Sequence, residues 1–387
     1  MSTNRRPVWL EIELEAVERN IVEIKRRAGP DRHLIASVKG NAYGFGVVEI
    51  SRAVLRRGAY ALWTGNIDEA LRLRSAGIDE KIIMFGGYLP EHIAELVVHD
   101  LIPTVYDERG LDAVSGAGAA RGRPVGVFFK VDAGLGRLGV PVADALEFIA
   151  AASHRPHLVI EGVYTHLPFS STAERDWALA RYADFERLIT GLRQVGITPP
   201  ITQAWGSSGV LAGLPDCCNA VCVGHLLYGL NPLKPEVAGS DGLQPALKGL
   251  KASLIHVGQH VGGSDLAISG AYKIRNARST GVIAFGIGDG MRRVLPGREM
   301  EALVRGKRVP VIGTSLEHTV LGLDAVDLPQ VGEEAVLVGS QGNEEICLDD
   351  FAEAIGCSPL EAIMSISGRV EARYVNSADS IWGSFRS

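Results

Sequence analysis

From residue 33 to about residue 230, two hydrophobic textures take turns along the chain. Short, almost wholly apolar runs read as strands covered on both faces: "HLIASVK", "YALWTG", "KIIMFG", "LIPTVY", "VGVFFKVD", "LVIEGVYTH", "ITQAWG" and "AVCVGHLLYG". Between them stand stretches such as "VVEISRAVLRRG", "IDEALRLRSAG", "PEHIAELVVHD" and "ERDWALARYADFERLITGLRQVG". Their apolar residues recur every three or four positions, the period of an amphipathic helix. Alternating strands and helices predict a parallel sheet, and eight such units predict a closed (β/α)8 barrel. The texture changes at the turn-rich "NPLKPEVAGSDG". After it, "LKASLIHVGQHV", "TGVIAFGIGDG", "ALVRGKRVPVIGTS" and "EEAVLVGSQG" read as strands joined by turns, with one late helix near "LDDFAEAIGCSPLEAIMSI". The expected fold class is α/β: an N-terminal (β/α)8 TIM barrel over residues 1–240, then a C-terminal β-rich domain over 241–387.

Composition sharpens this picture mainly by exclusion. A chain of 387 residues is longer than one ordinary core absorbs, in keeping with two domains. With 46% hydrophobic and 22% charged residues it has the balance of a soluble globular protein. The net charge of −6 offers no attraction to nucleic acid or to an anionic membrane. No apolar run approaches the roughly 20 residues that span a bilayer, and "MSTNRRPVWLEIELEAVERN" lacks the apolar core of a secretory signal. A cytoplasmic location is expected. The cysteines stand at 217, 218, 222, 347 and 357. "CCNAVC" lacks C-x-x-C spacing and no ligand pair follows it, so these are expected to be reduced thiols packed as small hydrophobes, with no metal site.

Barrel enzymes build their active sites from the loops after the C-terminal ends of the strands. That rule selects Lys39, Asn41 and Tyr43 after the first barrel strand, Arg137 after the fifth and His166 after the sixth. It adds Ser207 and Ser208 after the seventh, and Gly224 and His225 after the eighth. An ammonium directly behind the apolar "LIASV" is costly unless it is used, which makes Lys39 the leading residue of the set. "GLGRLG" (134–139) also satisfies the dinucleotide pattern G-x-G-x-x-G. The acidic residue expected about 20 positions later is missing, and Asp132 precedes the glycines instead, so this reading is set aside.

"ASVKGNAYGFG", "KVDAGLGRLG", "EGVYTHL" and the serine-bearing turn before "LLYGLNP" resemble, in order and spacing, the alanine racemase family of pyridoxal 5'-phosphate enzymes. Looser echoes in "GDG", "VRGKRVPVIG" and "GSQGNEEI" extend the likeness over nearly the whole chain. The resemblance implies a barrel followed by a β-domain, and a homodimer with shared active sites. It implies that Lys39 holds the cofactor as a Schiff base and serves as a base at the substrate α-carbon. It makes Tyr43, Ser207 or Ser208, Gly224 and the backbone at His225 the phosphate cup. His166 becomes the residue stacked on the pyridine ring. Lys130 and Arg137 flank the substrate carboxylate, with Lys130 carbamylated in some family members. A desolvated lysine with a lowered pKa and a forked guanidinium suit those roles chemically.

The chain also departs from the family pattern. Cys222 in "VCVGHLLYG" stands where the family places an arginine donating to the pyridine nitrogen. Ser269 occupies the place of the tyrosine base opposite the lysine, leaving nearby Tyr272 as the expected opposite base and His318 as the alternative on the substrate side. Ile287 and Gly368 replace two further tyrosines, and Glu317 and His318 fill a substrate-side loop. The expectation is therefore an amino-acid racemase or epimerase not specialised for alanine. The alternatives are a pyridoxal-phosphate enzyme of another outcome (β-elimination, transamination or decarboxylation) and a non-catalytic carrier of the cofactor. The retained Arg137 argues against a carrier, which needs no carboxylate clamp.

Overall fold

The computed structural model describes residues 6–239, 241–261, 279–295, 297–366 and 368–375, with the backbone alone at 265–266, 272–273 and 278. The chain forms two compact units, Glu15–Gln244 and Met1–Leu14 with Pro245–Ser387. Strand β1 (Val8–Glu13) thus precedes the barrel in the chain but belongs to the other unit, and helix α1 (Leu14–Ala28) starts the barrel unit.

The barrel strands are β2 (His33–Ser37), β3 (Ala61–Thr64), β4 (Ile82–Met84), β5 (Ile102–Val105), β6 (Val125–Asp132), β8 (Leu158–Tyr164), β9 (Ile201–Gln203) and β10 (Ala220–Val223), with a two-residue β7 (Val140–Pro141) beside β6. They run parallel in the order β5-β4-β3-β2-β10-β9-β8-β6, and pairing of β5 with β6 closes the ring. The predicted eight-stranded barrel is present. Its interior is filled by Ile35, Ala61, Trp63, Ile83, Phe128, Tyr164, Ile201 and Ala220. Trp63 and Tyr164 meet edge to face at 4.5 Å, and a Cβ on Gly162 would lie 2.3 Å from the Phe128 ring, so only glycine fits there. The covering helices bury one stripe each, as Val47, Ile50, Ala53 and Val54 do in Val47–Arg56.

The second unit is built on a nine-stranded sheet. Its strands are β1, β11 (Leu247–His260), β14 (Arg278–Ile283), β15 (Glu301–Val304), β16 (Lys307–Thr314), β17 (Thr319–Gly322), β18 (Glu334–Gln341), β19 (Glu344–Ile346) and β20 (Glu371–Val375). A separate pair joins β12 (Asp265–Leu266) to β13 (Tyr272–Lys273). β1 lies antiparallel to β11 (Val8 opposite Ala252) and parallel to β20 (Trp9 opposite Glu371). The expected division at 240/241 therefore differs from the structure at both ends. β1 needs partners for its backbone groups and finds them more than 230 positions away, where no local pattern points. The barrel unit runs on to Gln244 because buried Asn20 accepts from its N–H at 2.7 Å and donates to its carbonyl at 2.8 Å. The single late helix is in fact two, Leu348–Ala354 and Pro359–Ser365. Gly356 at φ 70° ends the first, and Ser358 with Glu361 caps the second. Among the described residues no helix is long and apolar enough to cross a membrane.

Candidate active site

At the end of β2 the backbone reverses hand. Lys39 opens the short turn α2 (Lys39–Tyr43), in which Gly40, Asn41, Ala42 and Tyr43 have φ of 62°, 53°, 55° and 59°. Left-handed helix costs an L-residue about 1–2 kcal/mol, so three non-glycine residues in a row need outside support. Part is internal: the Ala42 N–H donates to Val38 O at 2.8 Å and the Gly46 N–H to Asn41 O at 2.9 Å. The rest comes from helix α4 (Ile67–Ser75), following α3 (Val47–Arg56), through buried Glu69. The Glu69 carboxylate accepts the Asn41 N–H at 2.6 Å and the Thr64 hydroxyl at 2.7 Å, while Asn41 Oδ1 accepts the Val47 N–H at 3.0 Å. This brace brings Lys39 Nζ within 5.8 Å of the Tyr43 ring centroid and 5.8 Å of the Phe85 centroid. Sequence reasoning missed Glu69. Its pattern "NIDE" reads as a helix cap, and the cap is real, since the Glu69 N–H donates to Asn66 Oδ1 at 3.2 Å.

After β6, the glycines of "GLGRLG" wrap a carboxylate rather than a phosphate. Asp132 accepts N–H groups from Gly134, Leu135 and Gly136 at 2.9, 2.7 and 2.8 Å, with Gly136 at φ 72°. The loop so held carries Arg137, exposed and with no hydrogen bond or ion pair to the described residues. Lys130, buried on β6, points its Nζ at the Tyr164 ring 4.9 Å away.

A second corner forms where β9 and β10 end. The Gly224 N–H donates to Ser207 Oγ at 3.1 Å, and a Cβ on Gly224 would lie 2.1 Å from Tyr43 Oη. The hydroxyls of Tyr43 and Ser207 therefore meet at a backbone position only glycine can occupy. Ser208 is buried beside Ser207 without sharing that bond. The His225 ring stands edge-on to Tyr43 at 5.5 Å. A Cβ on Gly206 would lie 3.8 Å from His166 Cε1 and 3.3 Å from Cys222 O, which places those two residues around one small position.

Desolvation sets the charge state of this mouth. It lowers Lys39 from its ordinary value, with Arg137 adding to the fall and Cys222 opposing it. Desolvation and then Arg137 bring Lys130 down to about 8, against a rise from Asp132. Desolvation, then Lys130, Lys39 and Arg137, push His166 down to about 3; desolvation and Lys39 push His225 down to about 4. Burial raises Tyr43 and Cys222 to about 12 each. At neutral pH both histidines, the tyrosine and the thiol are therefore uncharged, and among the described residues the cations beside them find no free counter-anion. Asp132, the acid that Lys130 feels, is committed to its three N–H groups. Such a mouth suits a ligand carrying a phosphate and a carboxylate.

Two expected residues belong to the second unit. His318 lies in the second unit, exposed, in a turn closed by the Ser315 N–H donating to His318 O at 2.8 Å. Its neighbour Glu317 is held by Arg369 at 2.6 Å and Arg6 at 2.8 Å, which keep its carboxyl down at about 2. Tyr272 lies on β13 by its backbone, opposite Leu266; its side chain, like the whole of Ser269, falls outside the described residues.

Comparison with known proteins adds an independent line. The family model described as "Alanine racemase, N-terminal domain" matches residues 12–232, and "Alanine racemase, C-terminal domain" matches 248–374. The alanine racemase of Desulfosudis oleivorans is 33% identical over 96% of this chain and 97% of its own. That of Methanococcus maripaludis is 30% identical over 96% and 99%. Among solved structures, the alanine racemase of Bacillus anthracis with bound L-Ala-P superposes with a TM-score of 0.86 at 29% identity, covering 97% of each chain. That of Streptomyces coelicolor gives 0.85 at 29% identity over 96% of this chain and 98% of the other.

Proposed function

The chain belongs to the alanine racemase family and is an amino-acid racemase, and we propose that its barrel mouth holds pyridoxal 5'-phosphate on Lys39. The observation that carries the cofactor reading is the corner at Gly224, where the Tyr43 and Ser207 hydroxyls converge on a backbone with no room for a Cβ. A cofactor phosphate there would be held by both hydroxyls and the backbone at Gly224 and His225. When bound, the cofactor supplies an electron-withdrawing ring that acidifies the Cα–H of the attached amino acid.

The chain's own groups supply the rest. Lys39, its pKa lowered first by desolvation, would take and return a proton at Nζ on one face. Arg137, exposed and without a hydrogen bond or ion pair among the described residues, would present its fork to the substrate carboxylate, and Lys130 would add charge beside it. His166, held neutral, would pack against the ring without competing for protons. Cys222, equally neutral, would offer the pyridine nitrogen no cationic donor. Tyr272 is the base on the opposite face, with His318 as the alternative.

We further infer a cytoplasmic homodimer with shared active sites, acting on amino acids beyond alanine. The substrate inference rests on Ile287 and Gly368, two smaller residues where the family has tyrosines. The test is incubation with a panel of L- and D-amino acids in D2O. Deuterium at Cα with inversion, in alanine and in larger substrates, is the expected result. Retention with deuterium, or loss of the amino acid, would overturn the two-base reading; reaction with alanine alone would overturn the substrate inference. Mixing inactive Lys39→Ala and Tyr272→Phe chains should restore part of the activity if sites are shared, whereas a fully active monomer would refute sharing.

A further inference from the structure

We propose that the turn Asp216–Cys217–Cys218 is a binding site for a soft divalent cation of the zinc and cadmium type, separate from the barrel mouth. The turn leads into β10 at the end opposite Gly224. Cys218 and Gly224 are six positions apart, roughly 20 Å of extended chain. In extended backbone two adjacent side chains point to opposite sides. Here the chain brings both sulfurs and an Asp216 carboxylate oxygen within 4.8 Å of one another.

The arrangement is held from outside. The Cys217 N–H donates to Tyr182 Oη at 2.5 Å, and Tyr182 is itself stacked on Trp205 at 4.9 Å. The Cys218 N–H donates to Asp216 Oδ1 at 3.0 Å. Arg32 bridges the Asp216 carboxylate and, at 2.7 Å, its carbonyl. Asp216 is almost wholly buried and Cys218 buried, while Cys217 is only partly so and opens the cluster to solvent.

Two sulfurs select a soft cation over magnesium or calcium. Binding forms two sulfur–metal bonds, and the thiol protons leave to solvent. Asp216 Oδ1 completes the set, exchanging only a long 3.4 Å contact with the Tyr182 hydroxyl, while Arg32 stays on Oδ2 as the outer partner that orients the carboxylate. Water takes the remaining position on the open side of Cys217. This revises the expectation of packing thiols, because spacing rules written for C-x-x-C overlook an adjacent pair that a turn has folded together.

The experiment titrates the reduced full-length protein with cadmium ion, following sulfur-to-metal absorbance and competition with a chromophoric chelator. One cadmium per chain is expected, with affinity lowered at least a hundredfold in Cys217→Ser/Cys218→Ser, where Cys222, Cys347 and Cys357 remain. Racemase activity of that variant should stay at the wild-type level. Equal binding by the two proteins, or none by wild type, would overturn the proposal. Should the double variant not fold, X-ray absorption at the cadmium edge on wild type decides: two sulfurs per metal support the site, and any other number refutes it.

Discussion

Replacing Glu69 by alanine should release the left-handed turn that carries Lys39 and Tyr43. The carboxylate accepts two short bonds, from the Asn41 N–H at 2.6 Å and the Thr64 hydroxyl at 2.7 Å. Hydrogen bonds to a buried charged group are worth about 1.5–3 kcal/mol each, so their joint loss costs about 3–6 kcal/mol. The strain they oppose is of the same size, about 1–2 kcal/mol for each of Asn41, Ala42 and Tyr43, somewhat less for asparagine. Without the brace the turn has no net reason to keep its hand. Glu69→Ala should therefore destabilise the cofactor-free protein by about 3–4 kcal/mol. Glu69→Gln should cost only about 1 kcal/mol, since its amide oxygen still accepts from Asn41 and its NH2 can donate to Thr64 Oγ1.

Urea unfolding measures that part. A second readout separates bracing of the turn from general damage: the pH at which borohydride fixes half of the cofactor on Lys39. The lowered pKa of Lys39 comes first from desolvation, so a relaxed turn moves the amine towards water and the half-point upward in pH. Glu69→Gln should restore the wild-type half-point. A Glu69→Ala protein with unaltered stability and an unaltered half-point would refute the reasoning.

Lys39→Ala should abolish borohydride-fixed cofactor, checked by mass spectrometry of the peptide containing residue 39; retention of a reducible chromophore would contradict the assignment. Gly224→Ala drives a methyl into Tyr43 Oη at 2.1 Å, and should weaken phosphate binding more than tenfold in equilibrium dialysis with pyridoxal 5'-phosphate, yet spare binding of phosphate-free pyridoxal. Lys130 sits at about 8 when folded against an ordinary 10.5, so the unfolded chain holds the proton more tightly. Its penalty is complete below pH 8 and fades as pH rises to 10.5, adding up to about 3 kcal/mol of stability across that window. Urea unfolding of Lys130→Met should lack this rise, and an equal rise in wild type and variant would place its source elsewhere.

The barrel was legible because its evidence is local. Each strand is a short apolar run and each helix carries its own stripe, as "LIASV" and "VVEISRAVL" do, and both survive whatever the distant chain does. The residues of the mouth were legible for a related reason: closing the barrel gathers all strand ends at one rim, so naming the strands names the rim. β1 was not legible, since "VWLEIE" is defined by pairing with β11 and β20, which lie at the far end of the sequence. Nor was the hand of "KGNAY", although its glycine and asparagine are the residues that tolerate positive φ. Glu69 escaped because one carboxylate does two tasks: its position caps a helix, and its oxygens brace the turn beside Lys39.

The features that sequence rules handle worst are also those that cost the folded chain most. A left-handed run of L-residues and a buried Lys130 each favour unfolding, and they meet at one rim. A fold can carry them where the barrel interior is packed around Trp63, Phe128 and Tyr164, and where an anionic ligand later supplies the missing charge. Anything that binds the folded mouth and not the unfolded chain adds RT ln(1 + [L]/Kd) to stability, about 2.7 kcal/mol at a hundredfold excess over Kd. That is close to the cost of Lys130 alone. The same positive field that weakens the free protein therefore draws in a phosphate and a carboxylate. Exchanging these cations for apolar residues would steady the barrel and leave nothing to hold either anion.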